Sequence, residues 1–303
     1  MGLYDIILEK HVSRKGGIEN CIIKCLDHGF VKLVDCMPRM IDDSEESADH
    51  AIAEAARCSY QRGTKTIADD KTLIRYLMRH NHTSPFEMIE FKFHCKLPLF
   101  TARQMIRTRT ASVNELSGRY SEMPEEYYVP GELRVQSLTN IQGSEGSLSD
   151  GTTEMIKGLM KLQFHDAFKF YDRLLKQGVA REQARIGLPL STYTEWYWKI
   201  DLKNLLHFLD LRCDHHSQKE IQVYSNAILE LIKPIIPWAI EAWEDYSPYR
   251  RGMMLTRYEV EALRNLIINE CGNDQDFNTE DLKVGSTLEK REWEEKKHRL
   301  GFI

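Results

Sequence analysis

The sequence predicts an α/β protein (α+β in finer terms), with a small mixed or antiparallel sheet packed against many helices. Three observations carry this. Phe91, Phe93 and Cys95 alternate with Lys92, His94 and Lys96, the period-two pattern of a half-buried strand. Phe30 to Asp35 reads as a second, short strand. Beyond Gly151 the apolar residues recur at spacings of three and four, so helices dominate the rest of the chain.

Along the chain, Met1 to about Gly29 shows only the spacing Cys21-x-x-x-Cys25. Ser44 begins a helical stretch through Ala48, Ala51, Ile52, Ala55 and Ala56, and a second helix runs from Asp69 or Asp70 to about His80, burying Leu73, Ile74, Leu77 and Met78. Pro98 opens a helix from Leu99 to about Arg107, after which the chain turns through Asn114 to Tyr120. Residues 131–151, with five Gly and Ser residues at 143–149, read as a flexible surface insert. Helices follow over Glu154–Gln177, Ala180–Ile186, Lys203–Leu211 and from Asp214 toward Ile232. The tail from Glu289 to Arg299 is almost wholly charged around Trp293 and reads as an exposed helix or ragged end.

Composition removes whole classes of function. At 303 residues, 42% hydrophobic and 29% charged, the chain is globular, with one large domain or two modest ones. No apolar run approaches the roughly 18 residues of a membrane span. Met1-Gly2-Leu3-Tyr4-Asp5-Ile6 lacks a signal peptide's basic opening and the Ser/Thr of a myristoylation site. A net charge of -5 argues against bulk attraction to nucleic acid or membrane, so neither is an expected partner. Seven cysteines without a C-x-x-C pair point to a reducing, cytoplasmic compartment. The glycine fingerprints of Rossmann and P-loop sites, the zincin motif and the serine hydrolase elbow are all absent. His80-x-His82 and His215-His216 read as helix-end and surface histidines, and no metal is expected.

The chemistry concentrates in Arg103-Gln104-Met105-Ile106-Arg107-Thr108-Arg109, followed by Asn114, Glu115, Ser117 and Arg119. On a helix Arg103 and Arg107 would share a face, where two guanidinium groups repel unless an anion lies between them. Ser117 and the backbone around Gly118 could complete a phosphate cradle, and Glu115 could accept from a nucleobase or ribose. A solvated charged face is the plain alternative. Arg185 and Arg212 stand among apolar neighbours, where they could line a pocket or, more plainly, snorkel or pair with Asp214. Cys58, Cys95 and Cys213 read as inert filler.

Arg107-Thr108-Arg109, seven residues, then Ser117 resembles the signature R-H-R-x7-S of the flavin-dependent thymidylate synthases, the ThyX family. Ser84-Pro85-Phe86-Glu87, Asn114 to Tyr120, Ala184-Arg185-x-x-Leu188-Pro189-Leu190, and Leu211-Arg212 with Asp214-x-His216 are similar to family segments in family order. The resemblance covers roughly 29–246 and divides the chain into an N-terminal extension (1–29), a catalytic domain (30–250) carrying the insert, and a charged C-terminal extension (251–303).

The resemblance implies a homotetramer with sites shared between subunits, converting dUMP to dTMP. Methylenetetrahydrofolate would give the carbon, and FAD reduced by NADPH the hydride. Gln104, Arg107, Glu115, Ser117, Gly118, Arg119, Arg185 and Arg212 would hold dUMP, with Arg212 the catalytic group promoting ionisation at uracil N3. Ser84, Arg107, Thr108, Arg109, Asp201, Lys203 and His207 would contact FAD, and His82 and Tyr120 would line the pocket. Thr108 stands where the signature has histidine, and Asp201, Lys203 and His207 replace the family's Asn-x-Arg, three residues, Asn. The weighed alternatives are a non-catalytic or flavin-weakened nucleotide-binding member of the family and, from a third class, a basic-patch nucleic-acid binder, which the negative charge disfavours. The chain also lacks the Pro-Cys dipeptide of the other thymidylate synthase class.

Overall fold

A computed structural model describes residues 21–38, 47–59, 69–138 and 140–271. The expectations for Ser44, for most of the N-terminal extension and for the tail around Trp293 lie outside these residues. The chain divides into two compact units between Arg251 and Gly252. The first unit holds the sheet.

Ile22–Cys25 (β1) and Gly29–Met37 (β2) pair antiparallel through a short turn. Gly29 is required there: a Cβ would collide with the Tyr224 hydroxyl and stand 2.7 Å from the carbonyl oxygens of Cys25 and Lys96. Two helices follow, Asp49–Arg57 (α1) and Asp70–Arg79 (α2). Asp69 caps α2 by accepting the Thr72 N–H at 2.7 Å, as its position before an apolar-periodic run predicts. A 3-10 turn over Ser84–Met88 leads into Glu90–Pro98 (β3), whose alternation is the one read from the sequence. Leu99–Met105 (α3) is shorter than expected, so Arg107 lies in the turn after the helix and does not share a helical face with Arg103. Ser112–Glu115 (β4) is an edge strand, where the sequence predicts turn through Asn114 and Glu115.

Arg134–Gln136 (β5) and Ser144–Ser147 (β6) make a separate two-stranded ribbon within the expected insert. Asp150–Lys176 (α4) is capped by Ser149, and Arg181–Ala184 (α5) continues as a 3-10 turn over Arg185–Gly187. Tyr193–Asp201 (β7) follows, a strand absent from the sequence expectation although Trp196, Trp198 and Ile200 alternate with Tyr197 and Lys199. Leu202–Arg212 (α6), Lys219–Ile232 (α7) and Pro237–Tyr246 (α8) complete the unit. The second unit contains Arg257–Cys271 (α9).

The main sheet runs β1-β2-β3-β7-β4, antiparallel throughout. One face is apolar and fully buried: Val31, Leu33, Phe91, Phe93, Cys95, Trp196, Trp198 and Ile200 pack against α1, α2, α6, α7 and α8. Its other face carries Lys92, His94, Lys96, Glu195, Tyr197 and Lys199, which accounts for the alternation. Asp49 adds a long-range cap. Fully buried on α1, it accepts the Trp238 and Ala239 N–H groups at 2.8 and 2.9 Å and so closes the N-terminus of α8.

Candidate active site

Two groups of the expected residues form within one chain, one joining the end of α3 to the end of α6 and one around the turn after β4. In the first, Arg107 lies in the turn after α3 and Arg212 in the last turn of α6. Burial, and then the nearby Arg107 guanidinium, pull the half-buried Arg212 below its usual range. Among the described residues no carboxylate comes within ion-pair distance of Arg212. Asp214, its expected structural partner, instead accepts the His216 backbone N–H at 2.8 Å and contacts the His216 ring at the same distance. Two cations held together without an acid between them are an anion trap. Gln104 joins this group by donating its side-chain amide to Gln218, in the loop before α7.

In the second group, Leu116 donates its N–H to the Glu195 carbonyl at 2.8 Å, which extends the β4 edge by one residue. The chain then turns: the Tyr120 and Ser121 N–H groups return to the Ser117 carbonyl at 3.0 and 3.2 Å. Gly118 is buried beneath Arg185. A Cβ there would stand 3.2 Å from Arg185 Cδ, 3.3 Å from a terminal guanidinium nitrogen and 3.0 Å from Met123 Sδ. The missing side chain is what lets Arg185 cross the Ser117–Gly118 backbone. Arg119 Nε pairs with Glu182 at 3.2 Å, an acid the sequence reading did not include. Glu115 is oriented by the Thr194 hydroxyl, which donates to Oε1 at 2.8 Å and leaves Oε2 available.

Other expected residues stand apart. His82 lies after α2, its ring 6.0 Å from Tyr76 and 6.1 Å from His80, while Tyr120 is 81% exposed beyond β4; the two do not meet within a chain. Asp214, His215 and His216, consecutive in the chain, bring ligand atoms within 4.8 Å of one another. Cys95 is buried in the sheet and its thiol is pushed up to about 12, so it is no nucleophile at neutral pH. Burial also raises Cys213, whereas Cys58 is exposed at the end of α1. Gln218, the partner of Gln104, is not among the expected site residues; the sequence expectation places it inside a helix beginning at Asp214, whereas it precedes α7.

Residues 39–238 match the family model described as thymidylate synthase complementing protein. A flavin-dependent thymidylate synthase of Dictyostelium discoideum is 54% identical over 252 residues, 82% of either chain. The chain belongs to the flavin-dependent thymidylate synthase family. A Thermus thermophilus member is 51% identical over 248 residues, 82% of this chain and 87% of that one. Among solved structures, the UMP/dUMP methylase PolB from Streptomyces cacaoi, bound with 5-Br UMP, superposes with a TM-score of 0.63 at 33% identity, covering 72% of this chain and 95% of that one.

The family's flavin raises the question whether the departures at Thr108, Asp201, Lys203 and His207 still suit it. The Leu202 N–H donates to the Ile89 carbonyl at 2.8 Å, which joins the 3-10 turn that begins at Ser84 to the start of α6 at one end of the β3–β7 strand pair. Ser112 pairs with Lys199 and β4 runs antiparallel to β7, so the chain from Arg107–Arg109 enters β4 at that same end of the strands. The Asp201 carboxylate caps α6, accepting the Asn204 N–H at 2.9 Å and the Asn204 amide at 2.7 Å. Its charge is thereby held by the helix terminus. Ser84, Lys203, Arg107 and Arg109 remain as donors, a set that suits an anionic diphosphate. The residues present therefore fit a dinucleotide flavin.

Proposed function

We propose that the chain is a flavin-dependent thymidylate synthase that methylates dUMP reductively to dTMP, with methylenetetrahydrofolate as carbon donor, NADPH as reductant and FAD as the flavin. The observation that carries this reading is Arg212 at the half-buried end of α6, lowered by burial and then by the Arg107 charge, with no carboxylate within ion-pair distance among the described residues. Arg212, supported by a low-dielectric helix end, stabilises negative charge as the uracil ionises at N3. Arg185, laid over Gly118, with Arg119 and Ser117, binds phosphate, while Glu115 Oε2 accepts from the nucleoside. Ser84, Arg107, Thr108, Arg109 and Lys203 would hold FAD, which when bound supplies the hydride. His207 and Asp201 border that site, and His82 and Tyr120 line the common pocket. The catalytic domain is 30–250, acting in the cytoplasm; among the described residues no helix is long and apolar enough to cross a membrane.

The deciding experiment is NADPH oxidation by purified protein with added FAD, with and without dUMP. Oxidation that rises with dUMP and yields dTMP supports the reading. Binding of dUMP without stimulated oxidation would return the non-catalytic alternative.

One feature supports a homotetramer with shared sites. Met155, Leu159 and Leu162 form a stripe on α4 at helical spacing, 61, 60 and 59% exposed, opposite the face that buries Phe164, Phe168 and Tyr171. Replacing Leu159 and Leu162 together by glutamate is expected to break the assembly into smaller species and lower turnover at least about tenfold, with helicity retained. Light scattering beside circular dichroism reads this; an intact tetramer rejects the stripe as its interface.

Thr108 donates its N–H to the Met105 carbonyl at 3.1 Å, a backbone role that histidine can keep. Thr108→His is expected to tighten FAD by about 1 kcal/mol through ring stacking and one added hydrogen bond, measured by flavin titration. Weaker binding would mean that the pocket is shaped around threonine.

A further inference from the structure

The loop between α6 and α7 is folded by its own side chains. Ser217 donates its hydroxyl to the Leu211 carbonyl at 2.6 Å, and Gln222 donates its amide to the Ser217 carbonyl at 2.5 Å and the His215 carbonyl at 3.4 Å. Asp214 closes a tighter turn on the His216 N–H. Arg212 therefore leads into a stapled segment, and this segment has one side-chain tie to α3: the Gln104 amide donates to Gln218 Oε1. That bond joins residues 114 positions apart in sequence, one just before Arg107 and the other just after Arg212.

Such a tie has a physical purpose at this place. The Arg107 and Arg212 guanidinium groups repel, and repulsion alone would let the exposed Arg107 turn swing away from the α6 end. An acid at the tie would hold the segments but cancel the positive field that an anionic ligand needs. An amide-to-amide bond is neutral, so it holds them and leaves the field intact. It also orients the Gln104 amide: with Nε2 engaged on Gln218, Oε1 and the second N–H remain for a ligand.

We infer that Gln218 is a positioning residue, latching the Arg212 loop to α3 through Gln104 so that the two arginines keep their anion-binding spacing before nucleotide arrives. The inference rests on the reading of that pair as part of the dUMP site.

The test is a double-mutant cycle on dUMP affinity in the FAD-loaded enzyme, with Gln218→Met, Gln104→Met and both together. Gln218→Met is expected to raise the dUMP Kd and KM about tenfold, with turnover at saturating dUMP within about twofold and FAD content unchanged. In the Gln104→Met background the same change should add nothing, because the partner through which Gln218 acts is already gone. A merely structural role would lower melting temperature and multiply with Gln104→Met. Gln218→Ala, carried through the same cycle, decides the matter should the methionine variant fold poorly. Wild-type dUMP affinity in the Gln218 variants, or effects that multiply in the double mutant, would overturn the latch alone. A wild-type enzyme that binds no dUMP would remove the functional reading as well.

Discussion

Replacing Arg212 by lysine is expected to cut turnover about a hundredfold, the scale of losing one preorganised donor. The position explains the size. Arg212 closes α6 behind Leu205, Leu206, Phe208 and Leu209, all buried, and its half-buried guanidinium feels the Arg107 charge while no acid among the described residues pairs with it. Lysine keeps the charge but loses the planar fork, so simultaneous contact with two atoms of a uracil edge fails. The fold and FAD content should hold, because among the described residues Arg212 makes no ion pair and lies outside the flavin donor set. Melting temperature and turnover measured on one Arg212→Lys preparation decide the question. Wild-type turnover would end the catalytic assignment, and lost stability with intact turnover per folded enzyme would make Arg212 a structural residue.

Arg134→Ala is expected to destabilise the first unit by about 3 kcal/mol, the cost of leaving a buried charge without its partner. Glu220 is 4% exposed in the first turn of α7, and Arg134 reaches both of its carboxylate oxygens at 3.0 Å. The Tyr128 hydroxyl adds a longer contact at 3.4 Å. Deleting residues 131–151 removes the same partner, so the deletion should lower the melting temperature as well. This reverses what composition alone predicts for that segment, namely a loop whose shortening changes little. A deletion variant that melts with the wild type would restore the composition argument. A Glu220→Gln change made together with Arg134→Ala should recover part of the loss, since no unpaired charge then remains buried.

The site was legible to the degree that its chemistry is local. Arg107, Arg109 and Ser117 sit within one short stretch, and their spacing resembles the family signature before any fold is known. Asp69 before a periodic apolar run announces α2, and the alternation around Phe93 announces β3. The same alternation is present at Trp196–Ile200, between the expected helices that end at Ile186 and begin at Lys203, and it marks the interior strand β7 that the sequence expectation lacks. The sequence expectation starts α7 at Asp214, although its apolar face begins only at Ile221. The helix begins only at Lys219, since Asp214 and Ser217 bond to nearby backbone and offer the chain a turn in place of a helix.

By itself, then, the sequence determined the sidedness of α2 and β3, the dominance of helices after Gly151, the arginine signature and the family that carries it. Tertiary structure alone decided which polar groups act on each other: the Arg107 charge on Arg212, Arg119 on Glu182, Arg134 on Glu220, Asp49 at the start of α8, and Gln104 on Gln218. Hydrophobic periodicity repeats every two or 3.6 residues, so a short window reveals it. A polar contact between distant segments leaves no such repeat, and its partners exist only once burial of the sheet face has brought α3, α6 and α7 together.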